Sequence, residues 1–158
     1  MKILVLGGCG YIGTKLVEKL LKYKKFKVIV FDVQWFGKNL RMHKNLKVIK
    51  GDIRQIPNNI FKGVNTVIHL ANIANDPGVE LNHQLSWEVN VLATMDVIQK
   101  AIKCNVKKFI FSSSGSVYGI KKESKVTEKL SLVPISTYNK TKMIAERVLF
   151  SFNDKIKI

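Results

Sequence analysis

Apolar residues in this chain fall either into short continuous runs or into stretches where they recur every three or four positions. Ile3-Leu4-Val5-Leu6 is a continuous run that ends in glycines. Ile12, Leu16 and Leu20 then repeat at spacing four, with Lys15, Lys19 and Lys22 on other faces, which predicts a helix. Lys27-Val28-Ile29-Val30-Phe31 predicts a second strand stopping at Asp32. A turn-rich stretch follows, then Leu46-Lys47-Val48-Ile49, closed by Gly51-Asp52, and later a fourth strand, Thr66-Val67-Ile68-His69-Leu70. Leu85, Val89, Leu92, Met95, Ile98 and Ile102 form the clearest amphipathic stripe, with Met95 expected in the core. Phe109-Ile110-Phe111 predicts a fifth strand. A last helix is expected from Thr137 to about Phe150, capped by Ser136 or Thr137. Lys155-Ile156-Lys157-Ile158 looks like the opening of a sixth strand.

Near-continuous apolar strands alternating with helices predict a parallel sheet, because parallel strands are buried on both faces. Right-handed crossovers make that sheet doubly wound, an α/β Rossmann arrangement. One domain over 1–158 is expected, without repeats or low-complexity linkers, and incomplete at the start of its sixth strand.

Composition narrows the classes. With 158 residues, 46% of them apolar, such a chain buries roughly 70% of its unfolded surface and needs no disulfide or metal staple. Cys9 and Cys104 are too few for a disulfide framework and suit a reducing compartment. The apolar N-terminal run is too short for a signal peptide, and no stretch matches a membrane span. A cytoplasmic protein with no membrane partner is the expectation. The net charge of +16 could mark nucleic-acid binding. Almost all the basic residues are lysines, however, scattered in runs of at most two, with only Arg41, Arg54 and Arg147 suited to bidentate phosphate contact. Solvated lysine faces explain the charge, and no nucleic acid is expected as a partner.

The glycine turn carries the first candidate chemistry. Gly7-Gly8-Cys9-Gly10-Tyr11-Ile12-Gly13 lies between the first strand and the first helix. In a dinucleotide site the first glycine makes the tight turn, the second lets a pyrophosphate approach and the third packs helix on sheet. The helix N-terminus adds free N–H groups and a positive dipole end. Asp32 ends the second strand, where a carboxylate can accept from both hydroxyls of an adenosine ribose. It would repel a 2′-phosphate, and Val33-Gln34 offers no compensating cation, so NAD is expected rather than NADP. Cys9 is read as packing in the turn, and Trp35-Phe36 as loop packing rather than an adenine stack.

Tyr138 and Lys142 stand at i and i+4 on one helical face. An ammonium there is expected to lower the phenol's pKa from about 10 and fit it for proton exchange with a substrate hydroxyl. Ser112-Ser113-Ser114-Gly115-Ser116-Val117-Tyr118-Gly119 follows the fifth strand, at the carboxyl edge where ligands bind.

Taken in order, these motifs resemble the NAD-dependent epimerase/dehydratase family, the extended short-chain dehydrogenase/reductases, and most of all its UDP-glucose 4-epimerase-like branch. The likeness spans the glycine turn, Asp32, Gly51-Asp52-Ile53-Arg54, His69-Leu70-Ala71, Asn90, Ser112 to Gly119, and Tyr138 with Lys142. It implies that Gly7, Gly10, Tyr11, Ile12, Gly13, Asp32 and Ser112 bind the cofactor and that Asp52 and Ile53 hold adenine. Leu70, Ala71 and Asn72 would line the cofactor channel, and Asn90 would contact cofactor or neighbouring backbone. Ser114 would bond the sugar oxygen, Tyr138 would be the acid/base, and Lys142 would hold the nicotinamide ribose. A nucleotide-sugar substrate and a full-length homodimer are implied as partners.

The chain departs from the family pattern at Leu6, where Thr is usual, and at Asn72, where a small residue is usual. Gly115-Ser116 replaces the Asp-Glu pair of dehydratase members, which argues against dehydration and against decarboxylating relatives that keep a Glu. Members of the family run to about twice this length, so this stretch alone is expected to bind NAD weakly and catalyse nothing. The alternatives are a nucleotide-sugar reductase or other dehydrogenase of the superfamily, and a non-catalytic NAD-binding module. His69 is read as a packed residue at the end of a buried strand. His43 and His83 lack Cys or carboxylate partners at ligand spacing, so no metal site is expected.

Overall fold

The structure, a computed structural model, describes residues Met1–Ile158. Five strands, β1 (Lys2–Leu6), β2 (Lys27–Asp32), β3 (Leu46–Lys50), β4 (Thr66–His69) and β5 (Lys108–Phe111), form one sheet in the order β3-β2-β1-β4-β5. Every pairing is parallel. The doubly wound α/β sheet expected from the pattern is the architecture observed. Lys157 makes a parallel bridge to Lys108 on the outer side of β5, with Phe109 N–H donating to Lys157 C=O at 2.8 Å.

The apolar strands are buried because both faces are covered. Ile3 and Val5 of β1 point to one side, where Val28, Val30 and Ile68 join them against Val17 of α1 (Tyr11–Leu21). Leu4 and Leu6 point to the other side, into a larger core with Val67 and Phe109. That core is closed by α4 (Ala93–Lys103) and by Leu149 of α5 (Thr137–Phe150). Two shorter helices, α2 (Asn75–Glu80) and α3 (His83–Trp87), complete that layer. Ser136 caps α5 as expected, its Oγ accepting from Asn139 N–H at 3.2 Å.

The long stripe is where the periodicity reading fails. A π-turn over Glu88–Leu92 separates α3 from α4. Its wider loop inserts an extra residue into the helical phase. Leu92 and Met95 are therefore rotated outward, 55% and 38% exposed, so Met95 is not core. Val89 and Ile98 of the stripe are buried as expected, and Ala93, Val97 and Ala101 face inward with them, together with the polar residues Asn90 and Thr94. A smaller correction applies to α1, where Gly13 and Val17 are its buried residues while Ile12 is exposed.

Candidate active site

The strand order reverses between β1 and β4, and ligands of open α/β sheets bind in the crevice that opens there. A cleft of about 800 Å³ occupies this position. Its floor is the glycine turn. Gly7 has φ +77°, which other residues rarely adopt, and a Cβ there would lie 2.6 Å from Ala71 N. A Cβ on Gly13 would lie 2.6 Å from Gly8 Cα. The fold itself therefore requires these two glycines.

Gly10 is different. Its backbone is extended, with φ −74° and ψ 179°, and a Cβ would meet only Gly7 O at an ordinary 3.5 Å. Nothing in the protein forbids a side chain at Gly10; what it would fill is the space over the α1 N-terminus. That end has no side-chain cap and no acidic residue in its first turn, so the first N–H groups of α1 remain available to an anion. Ser113 lines the same cleft, and its Oγ is buried without a partner. A cradle kept clear at Gly10 and an orphaned hydroxyl at Ser113 both fit a dinucleotide.

At the far end of the cleft, Asp32 is largely buried and accepts from Cys9 N–H at 2.9 Å and Gln34 N–H at 2.6 Å. Those bonds tie the carboxylate to the glycine turn. Cys9 is buried, and burial, with Asp32 beside it, pushes its thiol up to about 11, in keeping with a packed residue. Trp35 and Phe36 also line this end, 56% and 83% exposed. They are not packed into the loop as expected but stand open beside Asp32. Asp52 and Ile53 form part of the opposite wall. The Asp52 carboxylate is engaged by Arg54, with Nη2 at 2.7 Å, and Arg54 reaches on to Glu88 at 2.7 Å. Those bonds to Arg54 hold the Asp52 carboxyl below the usual range.

Leu70, Ala71, Asn72, Ser112 and Tyr138 line the other end of the same cleft. Ser114 is close by rather than in the wall: its Oγ lies 2.7 Å from Ser116 Oγ and accepts from Ser116 N–H at 3.3 Å. Tyr138 departs from expectation. Burial raises its phenol above the ordinary value, the Ser114 hydroxyl pulls the other way, and Asp76 adds to the rise. Lys142 does not lower it, because that ammonium is committed elsewhere. It is 1% exposed, donates to Ser112 C=O at 2.5 Å and Asn72 Oδ1 at 3.2 Å, and lies 4.2 Å from the centre of the Phe111 ring. Burial brings its pKa down to about 8.

Asn90 stands behind the wall, not in it. Its side chain accepts from Ile73 N–H at 2.8 Å and donates to Ile73 C=O at 3.1 Å and to Thr141 Oγ1 at 3.1 Å. Of the two alternatives for Asn90, the structure places it on neighbouring backbone. Thr141 Oγ1 in turn donates to Tyr138 C=O at 2.7 Å. Thr94 Oγ1 donates to Asn90 C=O and meets His69 Nε2, each at 2.9 Å. This buried polar chain, which pattern reading missed, braces the Tyr138 helix against the loop after β4. Asn90 and Thr94 are polar residues inside an apolar helical pattern, and that was the signal available. His69 is packed as expected, edge-on to Phe109, and burial drives its pKa down to about 3.

A doubly wound parallel sheet with a glycine turn, a terminal acid on β2 and a tyrosine and lysine at the switch point defines a dinucleotide-binding protein of the dehydrogenase/reductase type. The sequence model of the NAD dependent epimerase/dehydratase family matches residues 3–158, and the chain belongs to that family. It is 33% identical to the UDP-glucose 4-epimerase of Lactobacillus helveticus over 94% of this chain and 46% of that protein. It is 35% identical to the human sterol-4-alpha-carboxylate 3-dehydrogenase, decarboxylating, over 97% of this chain and 40% of that one. Among solved structures, the Bacillus cereus UDP-glucuronic acid 4-epimerase in complex with UDP-glucuronic acid and NAD superposes with a TM-score of 0.88. It is 26% identical, covering 99% of this chain and 53% of that chain. The chain thus spans about half the length of the relatives it matches. No helix is long and apolar enough to cross a membrane.

Proposed function

We propose that residues 1–158 form the NAD-binding part of a nucleotide-sugar 4-epimerase. The observation that carries this reading is the single cleft that runs from Asp32 and the glycine turn to Tyr138, with Ser114 beside the phenol. That span suits an extended dinucleotide with its adenosine ribose at Asp32, its pyrophosphate over Gly10 and the α1 N-terminus, and its reactive ring near Tyr138. The residues from Asp32 to Tyr138 would hold NAD, which would supply reversible hydride acceptance and a positive charge beside the phenol.

The protein's own groups handle the proton and the geometry. Tyr138 takes the proton of the sugar hydroxyl as the C–H bond breaks, which leaves a keto sugar, and gives it back on return. No net oxidation results. Ser114 donates to the same sugar oxygen and steadies the charge that develops there. Lys142 would hold the ribose hydroxyls, and the charge that favours the phenolate would come with the bound cofactor. The elevated phenol of the ligand-free state means that Tyr138 becomes a base only when positive charge is brought beside it.

The test is interconversion of nucleotide sugars by the protein carrying this chain, with no accumulation of NADH. Tyr138→Phe is expected to retain NAD while losing roughly 10²–10⁴ of turnover, the usual worth of a general acid–base group. The likeness to a sterol dehydrogenase supports one second reading, net oxidation of a hydroxyl. NADH formed in proportion to substrate consumed would establish that reading and remove epimerisation.

A further inference from the structure

Asn72 occupies a position where the family pattern has a small residue, and here it carries a side chain aimed at the buried ammonium of Lys142. The ammonium has two protein oxygens for its three N–H bonds, Ser112 C=O and Asn72 Oδ1, with the Phe111 ring beneath. Ser112 C=O belongs to the backbone after β5 and is fixed by the sheet. Asn72, on the loop after β4, reaches Lys142 from the side that lines the cleft.

The other groups around Lys142 do not substitute for Asn72. Glu146 lies on its own helix and raises its pKa weakly against burial. His69 on β4 is held neutral by burial. Tyr138, one turn earlier, is protonated, and Asp76 on α2 acts on Tyr138.

We infer that Asn72 is a positioning residue: standing in the cleft wall, its carboxamide oxygen fixes the buried Lys142 ammonium behind that wall before any cofactor arrives. This deepens the proposed function, since it rests on Lys142 serving the cofactor ribose. A small residue at this position would leave the buried cation a single protein oxygen for its three N–H bonds. A charged group that loses such a partner loses much of the compensation for its burial. The pKa of about 8 then leaves little margin for an ammonium at neutral pH. With a ribose hydroxyl bound, the Asn72 oxygen can yield to it without moving the lysine.

The test is the titration of the Lys142 side chain in the ligand-free protein, followed by its ¹³Cε resonance and assigned by the signal lost in Lys142→Met. Asn72→Ala is expected to lower the midpoint by about one pH unit, the scale of a charged hydrogen bond. Asn72→Asp is expected to raise it. NAD binding measured against pH should show its alkaline limb moving in the same two directions. A merely structural role would weaken binding at every pH and leave the midpoint in place. An unmoved midpoint in Asn72→Ala, or shifts of the same sign in both variants, overturns the inference. Should Asn72→Ala fail to fold, Asn72→Asp decides alone, and a midpoint that does not rise overturns it. Because this titration uses neither sugar nor NAD, its failure is distinct from failure of the epimerase assay.

Discussion

Gly10 and Gly13 lie three residues apart in one motif, yet the structure assigns them opposite reasons for being glycine. Alanine at each separates the two. At Gly13 the added methyl would press on the Gly8 Cα at 2.6 Å, and backbone cannot move aside as a side chain can. The helix gains about 1 kcal/mol from replacing a glycine, but overpacking a rigid site costs about 1–3 kcal/mol or more. Gly13→Ala should therefore be a net loss in stability. At Gly10 the backbone already suits an L-residue and the nearest atom is 3.5 Å away. Small gains from a stiffer unfolded chain and small losses at a helix cap nearly cancel, within about 1 kcal/mol. The methyl instead occupies the space where a pyrophosphate would meet the α1 N–H groups. We expect NAD affinity to fall by about 10–100-fold, or 1.4–2.8 kcal/mol. Urea unfolding and calorimetric NAD titration of both variants read the two quantities separately. If Gly10→Ala unfolds as readily as Gly13→Ala, Gly10 serves the fold. If its NAD affinity is unchanged, the phosphates do not lie over this turn.

Asp32→Ala should weaken NADH binding by about 1–3 kcal/mol and also loosen the glycine turn, because Cys9 N–H and Gln34 N–H lose their acceptor; tighter binding of NADPH than NADH by the unmodified protein would refute the role given to Asp32. His69 is held neutral with a pKa of about 3 against 6.5 when exposed, so the unfolded state binds the extra proton and stability should fall as pH drops from about 6.5 towards 3. His69→Gln, which keeps a partner for Thr94 but does not titrate, should flatten that acid limb in urea unfolding at pH 7 and 4; an unaltered pH dependence would exclude His69 as its source. Met95→Gln should change stability by no more than about 0.5 kcal/mol, as befits a residue the π-turn rotates outward; a loss of several kcal/mol would restore Met95 to the core.

The sequence by itself determined the sheet, the order of its strands and which residues stand at the two ends of the cleft. Those features are written in local signals. Continuous apolar runs such as Ile3–Leu6 mark strands buried on both faces, a glycine triplet marks the turn, and Tyr138 and Lys142 share a helical face by spacing alone. Tertiary structure decided whatever depended on the neighbours a residue meets across the fold. The phase of the helical stripe after Glu88 changed because a π-turn inserts a residue that no apolar period announces, and Met95 lies at the surface as a result. The bracing chain through Asn90, Thr94 and Thr141 joins residues 17 to 51 positions apart. Its members are individually ordinary polar side chains until the sheet brings them together. The tyrosine and lysine show the same limit most sharply. Spacing placed them on one face, and an ammonium beside a phenol ought to lower its pKa. In the folded chain Ser112 and Asn72 claim that ammonium and burial governs the phenol. Electrostatics in a protein interior is set by desolvation and by competing partners, and only the tertiary fold supplies either.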